Sequence, residues 1–308
     1  MEGDLMQAPR DPEPAPEPTA MGPEAIVERD DPGLFATTLF APAAAQKALL
    51  ALYAFDVELS RATASSAEPL IPYMRLQWWR DITEAAQDGA PPPAHEVAGP
   101  FARLIVEHRL PVDLIESMIA AREIELAGDF DHDHFLEWAY GRFGALTALG
   151  VLALTGEYGR SARLARHAGP VLGAAFILRH AVAMAGEDQY LLPGLAMVDR
   201  SLLARGEAAA QVITPMRQLA EEGLEALARL RGDRARIDRR AIPALLPLMR
   251  AERLLKRAKR LGSPPATGAK PAGRGASFGR APLGLADLEA DPPFDGLRLA
   301  IRALTGRW

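Results

Sequence analysis

The apolar positions of this chain recur at helical spacing over most of its length. After Pro42, a residue suited to the first turn of a helix, Leu49, Tyr53 and Leu59 fall on roughly one side. β-Branched residues are scarce beside Ala and Leu, and no run alternates between apolar and polar residues as a half-buried strand does. The pattern predicts an all-α helical bundle.

The same spacing continues in later stretches. Residues 72–89 end at Gly89, before a loop with three prolines, as a terminated helix does. Residues 131–156 and 161–186 are long and apolar, and their small residues allow neighbouring helices to pack closely. These stretches extend the predicted bundle over most of the chain.

The two ends of the chain differ from the middle in composition. Residues 1–24 are acidic and proline-rich, unlike a secretory signal or an Arg-rich transit peptide, and predict a disordered tail. Residues 263–284 are rich in Gly, Pro, Ser and Ala and predict a flexible linker. The helical domain then covers residues 25–262, and a C-terminal amphipathic helix is predicted within 285–308.

The C-terminal helix allows two interpretations. Leu297, Ile301 and Leu304 recur at helical spacing, arginines occupy the rest of the wheel, and Trp308 ends the chain. A basic amphipathic helix of this kind suits peripheral contact with an anionic membrane. Short amphipathic helices usually dock on their own domain, so docking is the default expectation.

The composition of the chain excludes several classes of function. The 308 residues are 49% hydrophobic and 24% charged with a formal net charge of −5, which suits a globular core and gives no electrostatic footprint for nucleic acid. The absence of cysteine excludes disulfides, thiolate metal sites and cysteine nucleophiles. No stretch approaches the ~20 uninterrupted apolar residues of a spanning helix. We expect a cytoplasmic protein, peripheral to the inner membrane if it contacts a membrane.

Three stretches, in order, carry a resemblance to a known family. They are ALYAFDVELSR (51–61), MRLQWWRD (74–81), which His95 follows, and ILRHAVAMAGEDQYLLP (177–193). With the small-residue stretch GRFGALTALGVLALTG between them, they resemble the squalene/phytoene synthases, head-to-head prenyl transferases with an all-α isoprenoid-synthase fold. The resemblance spans roughly residues 30 to 260 and implies that fold for the bundle.

In that family two aspartate-rich helices hold Mg²⁺, which neutralises the departing diphosphate of an allylic substrate. Aligning the family's Tyr-Ala-Phe places the first aspartates at or near Ser60, Arg61 and Ala64. Asp56 and Glu58 are no obvious substitutes, because residues two apart on a helix point about 200° apart. The first half of the metal site is therefore expected to be missing.

The second aspartate-rich motif aligns without a gap, because Arg179 and Pro193 keep the family's spacing of fourteen residues. Its three acidic positions fall on His180, Ala183 and Met184. The family's Gly-Arg pair before the closing Tyr-Leu-Pro is also absent. We therefore expect no catalytic residue, no metal site and no cofactor, with Mg²⁺ needed only if the chain is an active synthase.

Other motif positions are retained, which favours a surviving pocket. The opening motif also matches a branch of the family with Tyr-Ala-Phe-x-x-Glu-Leu and no aspartate-rich motifs, which includes the mitochondrial complex I assembly factor and its bacterial relatives. We predict that Ser60, Arg61, His180, Ala183 and Met184 face one cavity without a cluster of carboxylates. The full set of pocket positions implied by the resemblance is Tyr53, Glu58, Ser60, Arg61, Arg75, Trp78, Trp79, Arg80, His95, Arg179, His180, Ala183 and Met184.

Three functions follow from these patterns. The first is a non-catalytic squalene/phytoene synthase-like protein that binds an isoprenoid or lipid, or assists assembly of respiratory complex I by contact with its subunits. The second is an active synthase that condenses two prenyl diphosphates with unusual metal ligands. The third is a partner-binding helical bundle with a filled core and no ligand.

Several polar residues have a structural interpretation beside the functional one. The stretch DHDHF (131–135) offers metal-ligating side chains, but an Asp-rich loop before a helix is more often an N-cap. His95 could serve function or cap a helix, and His180 is expected to be a half-buried histidine on an apolar helix.

The remaining motif residues carry similar alternatives. Trp78 and Trp79 point about 100° apart on a helix, so at least one is expected in the core. Glu58 needs a partner if it is buried, and Arg61, Arg75 or Arg80 could form a structural ion pair with it.

Overall fold

The computed structural model describes residues 22–64, 68–128, 130–195, 199–263, 285, 288, 295–305 and 308. All regular structure in these residues is helical, which confirms the predicted all-α class. The helices are α1 (Pro23–Asp30), α2 (Pro32–Thr38), α3 (Ala43–Ala62), α4 (Leu70–Gln87), α5 (Ala98–His108), α6 (Val112–Ala127), α7 (His132–Ala139), α8 (Ala145–Thr155), α9 (Arg160–Ala165), α10 (Gly169–Gly186), α11 (Arg200–Ala204), α12 (Ala210–Gly232), α13 (Ile242–Leu245), α14 (Pro247–Ala258) and α15 (Asp295–Thr305).

Helices α3 and α10 lie at the centre of the bundle. The residues of α3 from Ala48 to Asp56 are buried without a gap, so this part of the helix is covered on every side. It packs against α1 and α8, while α10 packs against α12 and α14. The positions that align with the family's two aspartate-rich motifs therefore lie in or directly after α3 and in α10.

A π-helical turn, Tyr140–Gly144, joins α7 to α8 and fits closely against its neighbours. A Cβ atom on Gly141 would lie 2.6 Å from the carbonyl oxygen of Ser117, a distance that side chains do not tolerate. Turns of this kind are often found at functional sites, and Arg142 of this turn is buried.

One described stretch, Arg160–Gly186, is long and apolar enough to cross a membrane by length and composition, since an 18-residue window within it has a mean hydropathy of 1.4. Arginines interrupt its apolar run, and most of the apolar window is buried inside the bundle. Core helices share these properties, and α10 is such a helix.

The chain ends differ in part from expectation. Helix α1 begins at Pro23, two residues inside the predicted tail, while residues 1–21 and 264–284, which hold the rest of that tail and the predicted linker, lie outside the described residues. Near the C-terminus, Leu299 and Trp308 are buried, and Arg231 Nε donates to the Trp308 carbonyl oxygen at 3.0 Å.

Docking, the default expectation for the C-terminal helix, is what these contacts show. Of the apolar residues that predicted this helix, Ile301 is 52% exposed, whereas Leu299, which was not among them, is buried. The apolar spacing alone did not identify which residues face the bundle. Contact between this helix and a membrane stays a prediction.

We expect Gly141→Ala to destabilise the protein by about 1–3 kcal/mol, because the added methyl group would meet the α6 backbone. Gly186→Ala is the matched control, since a Cβ at this helical position meets no atom within 4 Å. Urea unfolding of both variants checks the prediction. Equal stability of the two variants would contradict the close contact at Gly141.

Candidate functional site

A cavity of about 700 Å³, here called the central cavity, opens between α3 and α10. Its walls come from the α1–α2 junction, α3, the π-helical turn with α8, α10, α13 and α14. Its apolar lining includes Val57, Phe143, Leu146, Leu172, Ala175, Phe176, Pro247 and Leu254. Its polar lining consists of Asp30, Asp31, Tyr53, Asp56, Ser60, Arg61, Arg142, Thr147, Arg179, His180 and Arg250.

A second space of about 650 Å³, here called the lateral groove, lies beside α4. It is lined by Glu58, Arg61, Ala62, Ile71, Met74, Arg75, Trp78, Trp79 and His95. The motif residues of α4 therefore face a different space from those of α10. Arg61 is shared, because it lines both the groove and the central cavity.

The predicted common cavity is only partly correct. Ser60, Arg61 and His180 do line the central cavity, together with Tyr53 and Arg179. Ala183 and Met184 are not among the lining residues, Ala183 is exposed, and Met184 packs against the core. Both lie about one helical turn beyond His180, where α10 passes the end of the cavity.

The motif resemblance also predicted a pocket position for Arg80, and the structure differs. Arg80 lines neither space and forms ion pairs with Glu116 at 2.7 Å and Glu123 at 2.8 Å on α6. These hydrogen-bonded carboxylates hold the pKa of Arg80 above its ordinary value. Arg80 thus ties α4 to α6 and is not a pocket residue.

Arg61 stands where the family resemblance places an aspartate, and it joins two carboxylates. Its guanidinium forms an ion pair with Asp30 at 2.5 Å and another with Glu58. This confirms Arg61 as the partner of Glu58 among the three arginines considered. His95 Nε2 also lies 4.0 Å from Glu58 Oε2. The cation at this position is therefore fixed between two anions.

The acidic residues of the central cavity are engaged by other groups. Asp30 binds Arg29 and Arg61, and Asp56 binds Arg122 at 2.7 Å. Asp31 accepts a hydrogen bond from the Leu34 backbone N–H at 2.8 Å, as the N-cap of α2. Burial raises the pKa of Asp31, and the nearby charge of Asp56 adds to this effect.

These donors do not fit a Mg²⁺ site. Magnesium needs carboxylate oxygens that converge on one point with near-octahedral geometry. Among the residues that the structure describes, no group of three or more His, Asp or Glu side chains could hold a metal ion. Arg61, a cation, and His180, a neutral imidazole, occupy positions that the resemblance assigns to ligands.

A buried ionic network lies beside the cavity. Arg122, which is 1% exposed, bonds Asp56 of α3 at 2.7 Å and Glu125 at 3.3 Å. Glu125 also accepts hydrogen bonds from Arg142 Nη1 and from Trp138 Nε1, each at 2.6 Å. This network connects α3, α6, α7 and the π-helical turn through side chains with little access to water.

The pKa shifts favour the charged forms of Glu125 and Arg122 but not that of Arg142. Burial alone raises the pKa of Glu125, but the charges of Arg142 and Arg122 outweigh it and lower the pKa. Burial lowers the pKa of Arg142, and the positive charge of Arg122 adds to this. Arg142 also lies 4.1 Å from the ring centre of Phe176, which stabilises its charge.

The network is not predicted by the sequence patterns above. The available signal is the pair Arg122 and Glu125, three residues apart in the apolar stretch AAREIEL. Asp56 and Glu58 do diverge as expected, because Asp56 points to Arg122 and Glu58 faces the lateral groove. Asp56 and Glu58 therefore do not form a carboxylate pair with each other.

His180 is half-buried, as expected, and its ring centre lies 4.8 Å from that of Phe176. Burial lowers its pKa to about 4, and the charges of Arg179 and Arg142 contribute. The imidazole is therefore neutral at pH 7.

The structure also shows the roles of Asp131, His95 and the two adjacent tryptophans. Asp131 caps α7 by accepting from the His134 backbone N–H at 2.8 Å. His95 Nδ1 accepts a hydrogen bond from the Val97 backbone N–H at 3.1 Å. His95 therefore caps the backbone at the start of α5, which is one of its two expected roles. Trp79 is buried against Phe55, at 5.2 Å between ring centres, while Trp78 is half-exposed in the groove.

We expect Arg122→Met to destabilise the protein by about 3–5 kcal/mol, because it leaves Asp56 and Glu125 with one fewer cation in a buried site. Arg229→Met is the control. Its ion pair with Glu225 is exposed and 3.8 Å long, and its removal should cost about 1 kcal/mol or less. Chemical unfolding measures both. Similar losses in the two variants would contradict a structural role for the network.

We expect the stability of the protein to decrease as the pH falls from about 6.5 towards 4. In this window an unfolded chain protonates His180 and the folded chain does not, so protons favour unfolding. His180→Gln should remove part of this pH dependence, whereas His132→Gln, at an exposed histidine, should retain it. Urea unfolding at pH 7 and at pH 5 measures the loss of stability between the two pH values. A loss in His180→Gln equal to that of the unmodified protein would refute the prediction.

Comparison with known proteins identifies relatives of this arrangement. The squalene/phytoene synthase family model matches residues 27–274. A comparison with curated protein sequences gives no match. The fold is similar to that of a dehydrosqualene synthase crystallised with a ligand, with a TM-score of 0.71 at 13% identity, covering 92% of this chain and 94% of that one.

The squalene synthase HpnC from Alicyclobacillus acidocaldarius is also similar, with a TM-score of 0.66 at 14% identity, covering 77% of this chain and 92% of that one. At these identities the two structures establish a shared fold. The family model covers most of the chain, and its match agrees with the order of the sequence motifs. The chain belongs to the squalene/phytoene synthase family.

Proposed function

We propose that this chain is a non-catalytic squalene/phytoene synthase-like protein that binds an isoprenoid or another lipid chain in its central cavity. The observation that carries the proposal is Arg61, a cation at a position where the family resemblance places a metal-binding aspartate, held by Asp30 and Glu58. A departing diphosphate carries negative charge that Mg²⁺ neutralises in this chemistry, and a guanidinium at this position does not ligate Mg²⁺.

The cavity supports binding of an apolar chain. Its volume of about 700 Å³ lies within the range of small-molecule sites, and Leu146, Leu172, Phe176 and Leu254 contribute to its walls. The polar groups lie among these residues, so a ligand with an apolar body and one polar end fits the lining. An open cavity also disfavours the third function, a bundle with a filled core.

An active synthase is the competing function. Asp30, Asp31 and Asp56 would have to serve as metal ligands in it, since they are the acids that line the cavity. Each is already engaged, by arginines or by the α2 N-terminus, and a metal would have to displace those partners. The donor set therefore favours binding without condensation.

Assistance in the assembly of respiratory complex I is a narrower form of the proposal. It rests on the opening motif, in which Tyr53, Phe55, Glu58 and Leu59 match the branch without aspartate-rich motifs. Normal complex I levels and activity in a deletion strain would remove this role and leave the proposed lipid binding in place.

Purified protein with Mg²⁺ and farnesyl or geranylgeranyl diphosphate should release no diphosphate above a heat-inactivated control. The same protein should bind a labelled prenyl chain in equilibrium dialysis. Ala175→Phe, which fills the cavity, should weaken that binding at least about tenfold, whereas Ala183→Phe, at an exposed position of the same helix, should not.

Diphosphate release by the unmodified protein would overturn the non-catalytic assignment. The absence of prenyl or lipid binding in both the unmodified protein and Ala183→Phe would overturn the binding assignment. Far-ultraviolet circular dichroism of the two variants shows whether each retains its helices.

A further inference from the structure

The first two turns of α4 carry an exposed apolar surface. Leu70 is 72% exposed, Met74 is 70% exposed and Tyr73 is 39% exposed. Residues three and four apart lie on one side of a helix, so these three form a continuous surface, here called the α4 strip. The other large apolar residues exposed in the described part of the chain, Leu39, Val106 and Ile301, lie on different elements.

The α4 strip borders the lateral groove. Met74 belongs to both, and Ile71, one residue after Leu70, lines the groove. Apolar surface that continues from a helix face into a groove marks an interaction site more often than scattered exposed residues do.

The charge of the groove identifies what it suits. Arg61 is paired with both Glu58 and Asp30, so the exposed Arg75 gives the groove its positive charge, although the chain as a whole is negative. Trp78 is half-exposed in the groove, and Tyr73 lies on the strip. Aromatic side chains with a polar tip, beside arginines and exposed aliphatic residues, suit the interface between a bilayer and water.

Arg61 places this groove next to the central cavity. It lines both spaces, and its two ion pairs reach one residue of each: Asp30 of the cavity and Glu58 of the groove. The Arg61 side chain is 38% exposed and that of Asp30 is 32% exposed, and exposed ion pairs contribute little to stability. The pair with Asp30 can therefore open at small cost while Arg61 stays bound to Glu58. The Arg61 side chain thus separates the groove from the cavity.

We propose that the α4 strip docks on an anionic phospholipid bilayer and that the lateral groove is the port through which a lipid chain passes from the bilayer towards the central cavity. Leu70, Tyr73 and Met74 enter the bilayer surface, and Arg75 contacts lipid phosphates. Passage into the cavity rests on the proposed lipid-binding function, whereas docking of the strip does not.

Vesicle sedimentation tests the docking. The full chain should sediment with vesicles of phosphatidylglycerol and phosphatidylcholine. A double variant, Leu70→Ser with Met74→Ser, should bind at least about tenfold more weakly. The matched control is Leu39→Ser with Val106→Ser, which removes two apolar residues of similar exposure elsewhere and should bind as the unmodified chain does.

Arg75→Gln tests the charge of the groove. It should weaken binding to vesicles with phosphatidylglycerol and have little effect on residual binding to vesicles of phosphatidylcholine alone. Arg229→Gln, at an exposed arginine outside the groove, is its control.

Transfer of a labelled lipid from vesicles to the protein tests the port. The strip double variant should accept vesicle lipid at least about tenfold more slowly, yet bind a water-soluble short-chain prenyl ligand with unchanged affinity. If no variant binds the soluble ligand, the proposed function of the cavity fails. If the soluble ligand binds but transfer from vesicles is unchanged in the strip variant, the port fails.

Three outcomes overturn the docking proposal. The first is that the unmodified chain does not sediment with anionic vesicles. The second is that the strip variant and its control lose vesicle binding equally. The third is that the unmodified chain forms a dimer in gel filtration without vesicles and the strip variant does not. The last outcome would assign the strip to contact with a second copy of the chain.

Discussion

Helices α3 and α6 and the π-helical turn are held together by buried ion pairs that centre on Arg122 and Glu125. The Arg122 guanidinium bonds Asp56 of α3 and Glu125 of its own helix, and Glu125 in turn bonds Arg142 of the π-helical turn. Two cations and two anions enclosed together avoid the large cost of burying any one alone. Removing one member leaves an uncompensated charge, so α3, α6 and the turn keep their relative positions. Two walls of the central cavity, α3 and the π-helical turn, are elements that this network fixes.

The same compensation explains why the cavity is a poor place for a metal. A cation site needs carboxylates that lack other partners, and the acids here are bound to arginines or to a helix N-terminus. Arg61 adds a fixed positive charge at a position of the family motif, and His180 remains neutral. The fold of the family is thus retained around a site with different electrostatics, which suits an apolar ligand better than a diphosphate–metal complex.

The sequence predicted the fold class and the family because both depend on features spread along the chain. Helical spacing and the order of the motifs survive many substitutions. The divergence of Asp56 from Glu58 was also predictable, since helical geometry sets the direction of each side chain. The N-cap at Asp131 and the burial of Trp79 followed from similarly local rules.

Other features depend on tertiary contacts that a linear pattern does not contain. The motif grouped Arg75, Trp78 and Arg80 with the residues of α10, but the crossing of α4 places the first two in a separate groove and turns Arg80 towards α6. Ala183 and Met184 match motif positions but lie beyond the cavity, because α10 continues past its end after His180. The buried network was missed because its partners lie 66 and 17 residues apart in the chain.

The central claim is that the cavity binds a lipid chain without a metal. Titration calorimetry with a prenyl diphosphate, once in EDTA and once in excess Mg²⁺, measures this directly. The arrangement of Arg61, Asp30 and Glu58 predicts affinities that agree within about twofold, because the acids that line the described cavity are engaged by other groups and do not bridge a metal to the ligand. An affinity that rises by about tenfold or more with Mg²⁺ would contradict it.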